Sequence, residues 1–335
     1  MRIIIRIAKF AAIVCQCAIL SGWFWLFLES RPAAPAKGEP AIFEIEKGRG
    51  VRKIAVALKD EAIIRKAWPF VLSYKLFFAP RTIKAGEYQL PRSGSIKEVL
   101  ETLVRGAVYL HPVTIAEGLT GSEIAAEFIA AGFGAAEDFA AAFRAMDEIA
   151  LWDPKAENLE GYLFPETYRF PKGITAREIW QKMTAEFKEI YGERGRRRTA
   201  ELRMNVRDIV ILASLIEKET ARPYEKKLVA SVFHNRLARG MKLDCDPTII
   251  YALKLKGTFG GRLRTKDLKL DSPYNTYLYP GLPPGPICNP GALSLEAALY
   301  PAKTEYLYFV SQNDGSHYFS RTLAEHRQAV KKFQR

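Results

Sequence analysis

From Phe10 to Leu28 the chain runs for 19 residues with only Gln16 and Ser21 as clearly polar interruptions. In lipid, every backbone N–H and C=O must be paired within its own segment, so such a run spans only as a helix. About 20 apolar residues cover the hydrocarbon thickness. Arg2, Arg6 and Lys9 precede the run and Trp23 and Trp25 lie near its far end. The positive-inside bias then leaves residues 1–9 as a cytoplasmic tail, makes 10–28 a transmembrane helix, and exports everything after Leu28. The predicted location is the inner (cytoplasmic) membrane, single-pass, with the working part periplasmic or extracytoplasmic. A cleaved signal peptide is the rival, because Ala34-Pro-Ala36 faintly resembles an A-x-A site. The run is longer than a usual signal core and prolines crowd the site, so a retained anchor is preferred. Residues 29–40, with Pro, Ala and Gly from Arg31 to Pro40, read as a linker.

With 335 residues, 48% apolar and 26% charged, the chain is long enough for two cores and is not a disordered polymer. Its formal charge of +13 asks for a partner. Nucleic acid is disfavoured: the cations are spread out, and the densest group (Arg194, Arg196, Arg197, Arg198, Arg203) reads as an exposed connector without a zinc-finger, RNP or basic-zipper pattern. An anionic membrane surface or an anionic polymer suits an evenly basic protein. The four histidines stand at no metal-ligand spacing and there is no Cys-x-x-Cys, so no metal is expected. Cys245 and Cys288, in turn-like contexts, could pair as a disulfide outside the cytosol.

Three segments repeat one pattern, a short alternating strand, a Gly-containing turn and an amphipathic helix. They are Phe43–Gly48 with Val51–Leu58, Tyr88–Ser95 with Ile96–Leu103, and Val113–Gly118 with Ser122 as the expected helix cap. Two strands flanking two helices would be β-α-α-β, which over about 41–110 loosely resembles the LysM modules that grip N-acetylglucosamine backbones. A plain α+β spacer is the other reading. Ala130–Ala145 reads as an Ala-rich helix. Glu160–Phe170 then sets aromatics among three charges, a pattern that suits either a sugar platform or a core hairpin.

The most informative stretch is Val210-Ile-Leu-Ala-Ser-Leu-Ile-Glu-Lys-Glu-Thr220. Leu212, Leu215, Ile216 and Glu219 fall at i, i+3, i+4 and i+7, one helix face ending in a carboxyl. Glu217 lies about 200° round from Glu219, as positional support or a solvated charge. A carboxyl among apolar groups loses hydration, its pKa rises, and it can then donate a proton near neutral pH. The same spacing also describes a core helix ending in a solvated charge. Pro223 stops the helix. A second one follows with Leu228, Val229, Val232, Phe233 and Leu237 inward and Gly240 behind it. Next come loops rich in amides and hydroxyls, a common setting for binding groups: Asp244–Thr248, Tyr274–Tyr277, Gly281–Gly285 and Cys288–Gly291. A strand at Leu307–Val310, a partner near His317–Phe319 and a helix from about Leu323 complete the pattern.

The motifs Glu-Gly-Tyr-Leu-Phe-Pro-Glu-Thr-Tyr, Ala-Ser-Leu-Ile-Glu-Lys-Glu-Thr, Val-Phe-His-Asn-Arg-Leu, Asp-Pro-Thr-Ile-Ile-Tyr, Tyr-Asn-Thr-Tyr, Gly-Leu-Pro-Pro-Gly-Pro-Ile and Asn-Pro-Gly occur in that order. Together they resemble the endolytic murein transglycosylases of the YceG-like family, over about residues 41–335. The resemblance implies a lytic enzyme that cuts peptidoglycan glycan strands between N-acetylmuramic acid and N-acetylglucosamine, leaves a 1,6-anhydro end, and needs no cofactor. It implies Glu219 as the catalytic acid, with Thr220 standing where other lytic transglycosylases have Ser. Glu166, Tyr168, Asp246, Thr248, Tyr274, Asn275, Tyr277 and Asn289 are the expected substrate contacts, Glu166 doubling as a possible second carboxyl. Cys245 departs from the small polar residue expected in its loop. Wall synthases are an implied partner. The expected fold is α+β: the membrane helix, a LysM-like domain at 41–110, and a mixed α/β domain at 111–335 around a central catalytic helix. A non-catalytic, membrane-tethered peptidoglycan-binding scaffold is the alternative function.

Overall fold

A computed structural model describes residues 2–32, 39–92, 94–145, 147 and 149–334. The Ala34-Pro-Ala36 site and the middle of the predicted linker lie outside the described residues. The chain divides into two compact units, residues 1–111 with 169–173, and residues 112–168 with 174–335.

In the first unit, helix α1 (Arg2–Glu29) contains the apolar span Ala11–Leu28, with mean hydropathy 1.9. Among the described residues it is the one helix long and apolar enough to cross a membrane, a property that a signal sequence shares. Strand β1 (Ala41–Ile45) alternates buried and exposed residues and pairs antiparallel with β2 (Gly86–Leu90), Phe43 opposite Tyr88. Between them lie α2 (Val51–Asp60), α3 (Ala67–Ser73) and a π turn over Tyr74–Phe78. Helix α4 (Ile96–Arg105) follows, opened by a Ser95–Glu98 capping box and closed by left-handed Gly106. Phe43, Ile54, Leu58, Phe70, Tyr88, Leu100 and Leu103 form one core. Sequence periodicity found α2 and α4 but not α3, which is short and interrupted by Pro69.

Strand β3 (His111–Thr114) pairs with a strand beginning at Thr167. Helices α5 (Gly121–Ala130) and α6 (Ala136–Phe143) replace the single Ala-rich helix expected over 130–145. The break falls where Gly132 and Gly134 take positive φ, a conformation alien to a right-handed helix. Thr120, not Ser122, caps α5, because its hydroxyl accepts from Glu123 N while the Glu123 carboxylate returns the bond. After β4 (Thr167–Phe170) comes α7 (Ala176–Glu201), with a kink at Gly192. The arginines read as a connector lie on this helix, Arg203 excepted. Tyr191, Gly195 and Thr199 recur every fourth residue and bury one face, leaving the cations on the others. Arg198 donates to the Leu299 carbonyl and its guanidinium covers Tyr300.

Helix α8 (Val206–Glu219) occupies the centre, and α7, α9 (Pro223–Ala238), α10 (Asp246–Leu255) and α11 (Ala292–Leu299) pack against it. An Asn205–Asp208 capping box starts it. Every residue from Ile209 to Ile216 is buried, so the helix is enclosed on all sides and not on one stripe alone. A 3₁₀ turn at Thr265–Lys269 lies in the loop before α11. Strands β5 (Tyr308–Ser311) and β6 (His317–Ser320) form a hairpin, and α12 (Leu323–Phe333), capped by Thr322, packs on it.

One ionic group ties α8, α9 and α11 together. Buried Lys226 reaches Glu217 Oε1 at 2.7 Å and Ser294 Oγ at 2.8 Å, while Glu217 Oε2 accepts from Gly291 N at 3.0 Å. Glu217 is therefore a structural anchor. Removing one member strands a buried charge, which typically costs about 3–5 kcal/mol. Lys226→Ala should lower the stability of this unit by that order, read from denaturant unfolding followed through the fluorescence of Trp152 and Trp180.

Candidate active site

The end of α8 opens into a cleft of about 600 Å³. Glu219 lies at its floor, half-buried. Arg236 from α9, the Leu243–Asp246 segment and Tyr277 form one wall. Tyr308 to Ser311, His317 and the inner face of α12 form the other. Burial pushes the Glu219 carboxyl above its ordinary pKa. A hydrogen bond from the Cys245 thiol, Sγ to Oε1 3.0 Å, works against that; Asp246 adds to it, and His317 and Arg236 oppose it. The net direction is upward, which retains the proton.

The walls are fixed largely by side chains of α9. Arg236 donates to the Leu307, Lys242 and Leu243 carbonyls and pairs with Asp244 at 3.1 Å. Asn235 bonds the Thr304 and Tyr306 carbonyls, and His234 the Ala298 carbonyl. Three successive residues of α9 thus secure the 298–307 segment that leads into β5. Helix α9 also carries buried Glu225, which accepts from Thr220 Oγ1 (3.2 Å), from His317 N (3.0 Å) and contacts His317 Nδ1 (2.7 Å). Burial raises the Glu225 pKa, but the His317 bonds outweigh it and hold the carboxyl ionised.

The predicted contact residues separate into two groups. Asp246 and Tyr277 line the cleft beside Glu219, joined by a 2.6 Å bond from the Tyr277 hydroxyl. The others are placed elsewhere. Asn275 is buried; its amide donates to the Leu268 and Leu270 carbonyls and its oxygen accepts from Tyr277 N, shaping the turn that presents Tyr277. Thr248 is buried against Cys245 O and Thr276 Oγ1. Asn289 is buried, accepting from Gly161 N and Leu163 N and donating to Leu119 O and Glu160. Tyr168 is buried with its hydroxyl on Phe164 O. Tyr274 packs on Tyr251, and Glu166 is exposed at the start of β4, its carboxylate on Thr167 N. None of these six lines the Glu219 cleft. The aromatics of Glu160–Phe170 are core residues, not a platform. Arg236, Tyr308 and His317 complete the cleft without having been expected. His317 stood alone in sequence, and only the β5–β6 hairpin brings it to α9.

Cys245 and Cys288 are free thiols. The second donates to Ser214 O on α8, so the disulfide considered from sequence is not formed. Among the described residues, no three His, Cys, Asp or Glu side chains gather as metal ligands.

Glu160 is a second buried carboxyl. It accepts from Gly121 N and Asn289 Nδ2 and contacts the Tyr251 hydroxyl, tying the start of α5 to the Asn289 loop. Gly161 beside it has positive φ, and a Cβ there would meet Pro286 at 2.6 Å. Burial lifts the Glu160 pKa from 4.5 to about 8. The folded state therefore holds a proton that the unfolded chain releases, and stability is lost as pH rises through about 8. The contribution is complete below 4.5. The denaturant midpoint should fall between those limits, and Glu160→Gln should flatten that dependence.

A sequence profile described as the YceG-like family matches residues 43–332. The chain is 35% identical over 308 residues to an endolytic murein transglycosylase of Bacillus subtilis, covering 86% of this chain and 83% of the relative. An endolytic murein transglycosylase of Streptococcus pneumoniae is 29% identical over 317 residues, with 84% of this chain and 56% of that longer protein covered. The crystal structure of a yceG-like protein from Listeria monocytogenes aligns at 34% identity with a TM-score of 0.57, over 88% of this chain and all of the other.

Proposed function

The chain belongs to the YceG-like family, and we propose that it is a peptidoglycan lytic transglycosylase in which Glu219 acts first as general acid and then as base. The observation that carries this reading is the Glu219 carboxyl itself, its pKa raised by burial at the floor of an open cleft. An acid protonates the glycosidic oxygen between N-acetylmuramic acid and N-acetylglucosamine as the C–O bond breaks. Glycosidases commonly need a second carboxylate and a water. Here the C6 hydroxyl of the muramyl sugar is tethered to the ring it attacks, and intramolecular attack has a high effective concentration. The substrate's own N-acetyl group assists. Glu219 then takes the hydroxyl proton as the 1,6-anhydro ring closes, and proton and charge balance. A scaffold reading, with α8 purely core, leaves a cleft-facing acid without a task.

Asp246 and Tyr277 are the proposed sugar contacts at the acid, offering a carboxylate and an aromatic hydroxyl on one wall. The domain reading (cytoplasmic tail 1–9, membrane helix 10–28, linker 29–40, LysM-like 41–110, transglycosylase 111–335) stands as a proposal. So does a retained single-pass anchor with its N-terminus cytoplasmic. The β1–α2–α3–β2 order supports a LysM-like kinship for the first unit; glycan binding by that unit and docking of wall synthases remain part of the same proposal.

The experiment is digestion of purified peptidoglycan with the full chain and mass spectrometry of the products. Shorter strands ending in anhydro-muramyl residues, made by internal cuts, are expected, and Glu219→Gln should cut at least about 100-fold more slowly. Equal cutting by the Gln variant would refute the assignment. Because the acid must be protonated, the rate should fall on the alkaline side as Glu219 ionises.

A further inference from the structure

Cys245 is fully buried where the chain crosses the end of α8, with its sulfur 3.0 Å from Glu219 Oε1. Its backbone is fixed on both sides: its N–H donates to Thr276 Oγ1 at 3.0 Å, and its carbonyl accepts from Thr248 Oγ1 at 2.7 Å. Thr276 and Thr248 in turn bond each other at 3.0 Å. The sulfur is thus presented from a braced backbone, and its side chain is buried.

A thiol in this position has three available roles. Disulfide formation is not one it plays, since both it and Cys288 are free and Cys288 is engaged on Ser214. Nucleophilic attack requires a thiolate. Burial, and behind it the charges of Glu219 and Asp246, hold this thiol well above its ordinary pKa, so it stays S–H. The remaining role is to donate a hydrogen bond.

We propose that Cys245 is a positioning residue for Glu219, its S–H donating to Oε1 so that the carboxyl stays turned toward the cleft. The inference rests on the reading of Glu219 as the acid. A thiol is a weak donor. It can orient a carboxyl while stabilising the carboxylate less than a hydroxyl would, so orientation and proton retention are both served. The other groups facing Glu219 are Asp246 from α10, which disfavours its ionisation, and Arg236 from α9 and His317 from β6, which favour it. Asp244 and Tyr277 line the same space, and Glu225 acts on it through His317.

The test is a pH–rate profile of the full chain in detergent on purified glycan strands, for wild type, Cys245→Ser and Cys245→Ala. A serine hydroxyl is the stronger donor and nearly the same shape. It should move the alkaline limb to lower pH by about half a unit to one unit, with the rate at acidic pH kept. Alanine removes the donor, so its limb should move to higher pH and kcat should fall by about 3- to 10-fold, KM changing little. A purely packing role predicts altered rates with all three limbs coincident, and that result would overturn the proposal. Should the alanine protein fail to fold, the serine limb decides alone. Glu219→Gln run in parallel separates the two layers: an inactive Gln variant with unmoved Cys245 limbs sinks only this inference, whereas an active Gln variant sinks the acid itself.

Discussion

Poor hydration of one carboxyl is the condition on which the cleft depends. Glu219 is the last residue of α8, and α8 is enclosed by four other helices, so its end cannot rotate or fray into solvent. Cost follows from that enclosure. A buried helix end carries unpaired carbonyls and charged termini that must be compensated. Here Lys226 and the Gly291 amide neutralise Glu217, two residues before the acid, so that one carboxylate of the pair is spent on structure. The other is left to lose its water. Two glutamates two positions apart are thereby set apart by their surroundings, one paired with a lysine and one facing the cleft.

Around this helix the recurring polar residues act mainly as joints. Asn289 holds four groups from two segments, Asn275 four from its own turn, and the His234–Asn235–Arg236 run secures a loop leading to the far wall. Loop-rich regions cannot bury their backbone without such partners. An amide side chain with two donors and an acceptor serves this purpose well. The same chemistry would suit a sugar, which is why residue type alone could not separate substrate contacts from braces.

What was legible in sequence follows the range of the interactions involved. The long apolar N-terminal helix, α8, α9, the terminal hairpin and the place of Glu219 at the end of an apolar stripe were visible because local periodicity and turn chemistry encode them, whereas the role expected of Glu219 came from the family resemblance. Thr120 was missed as a cap since Ser122 and Thr120 are equivalent by type, and only the Glu123 reach decides between them. The arginines of α7 read as a connector because charge outweighed the four-residue recurrence of Tyr191, Gly195 and Thr199. His317, Tyr308 and the Cys245–Glu219 contact depend on segments distant in sequence meeting in space, which no local pattern reports. Glu166 and Tyr168 were drawn toward the cleft by composition, but β4 pairs with β3 and keeps them away from it.

The hairpin and α12 have one more implication. Glu219 is synthesised well before the strands and helix that form the far wall of its cleft. Until those later segments have folded back, residue 219 has only one of its two walls. The far wall of the cleft is therefore the last part of this unit to be made, and the surroundings of residue 219 are completed by segments that follow it in sequence.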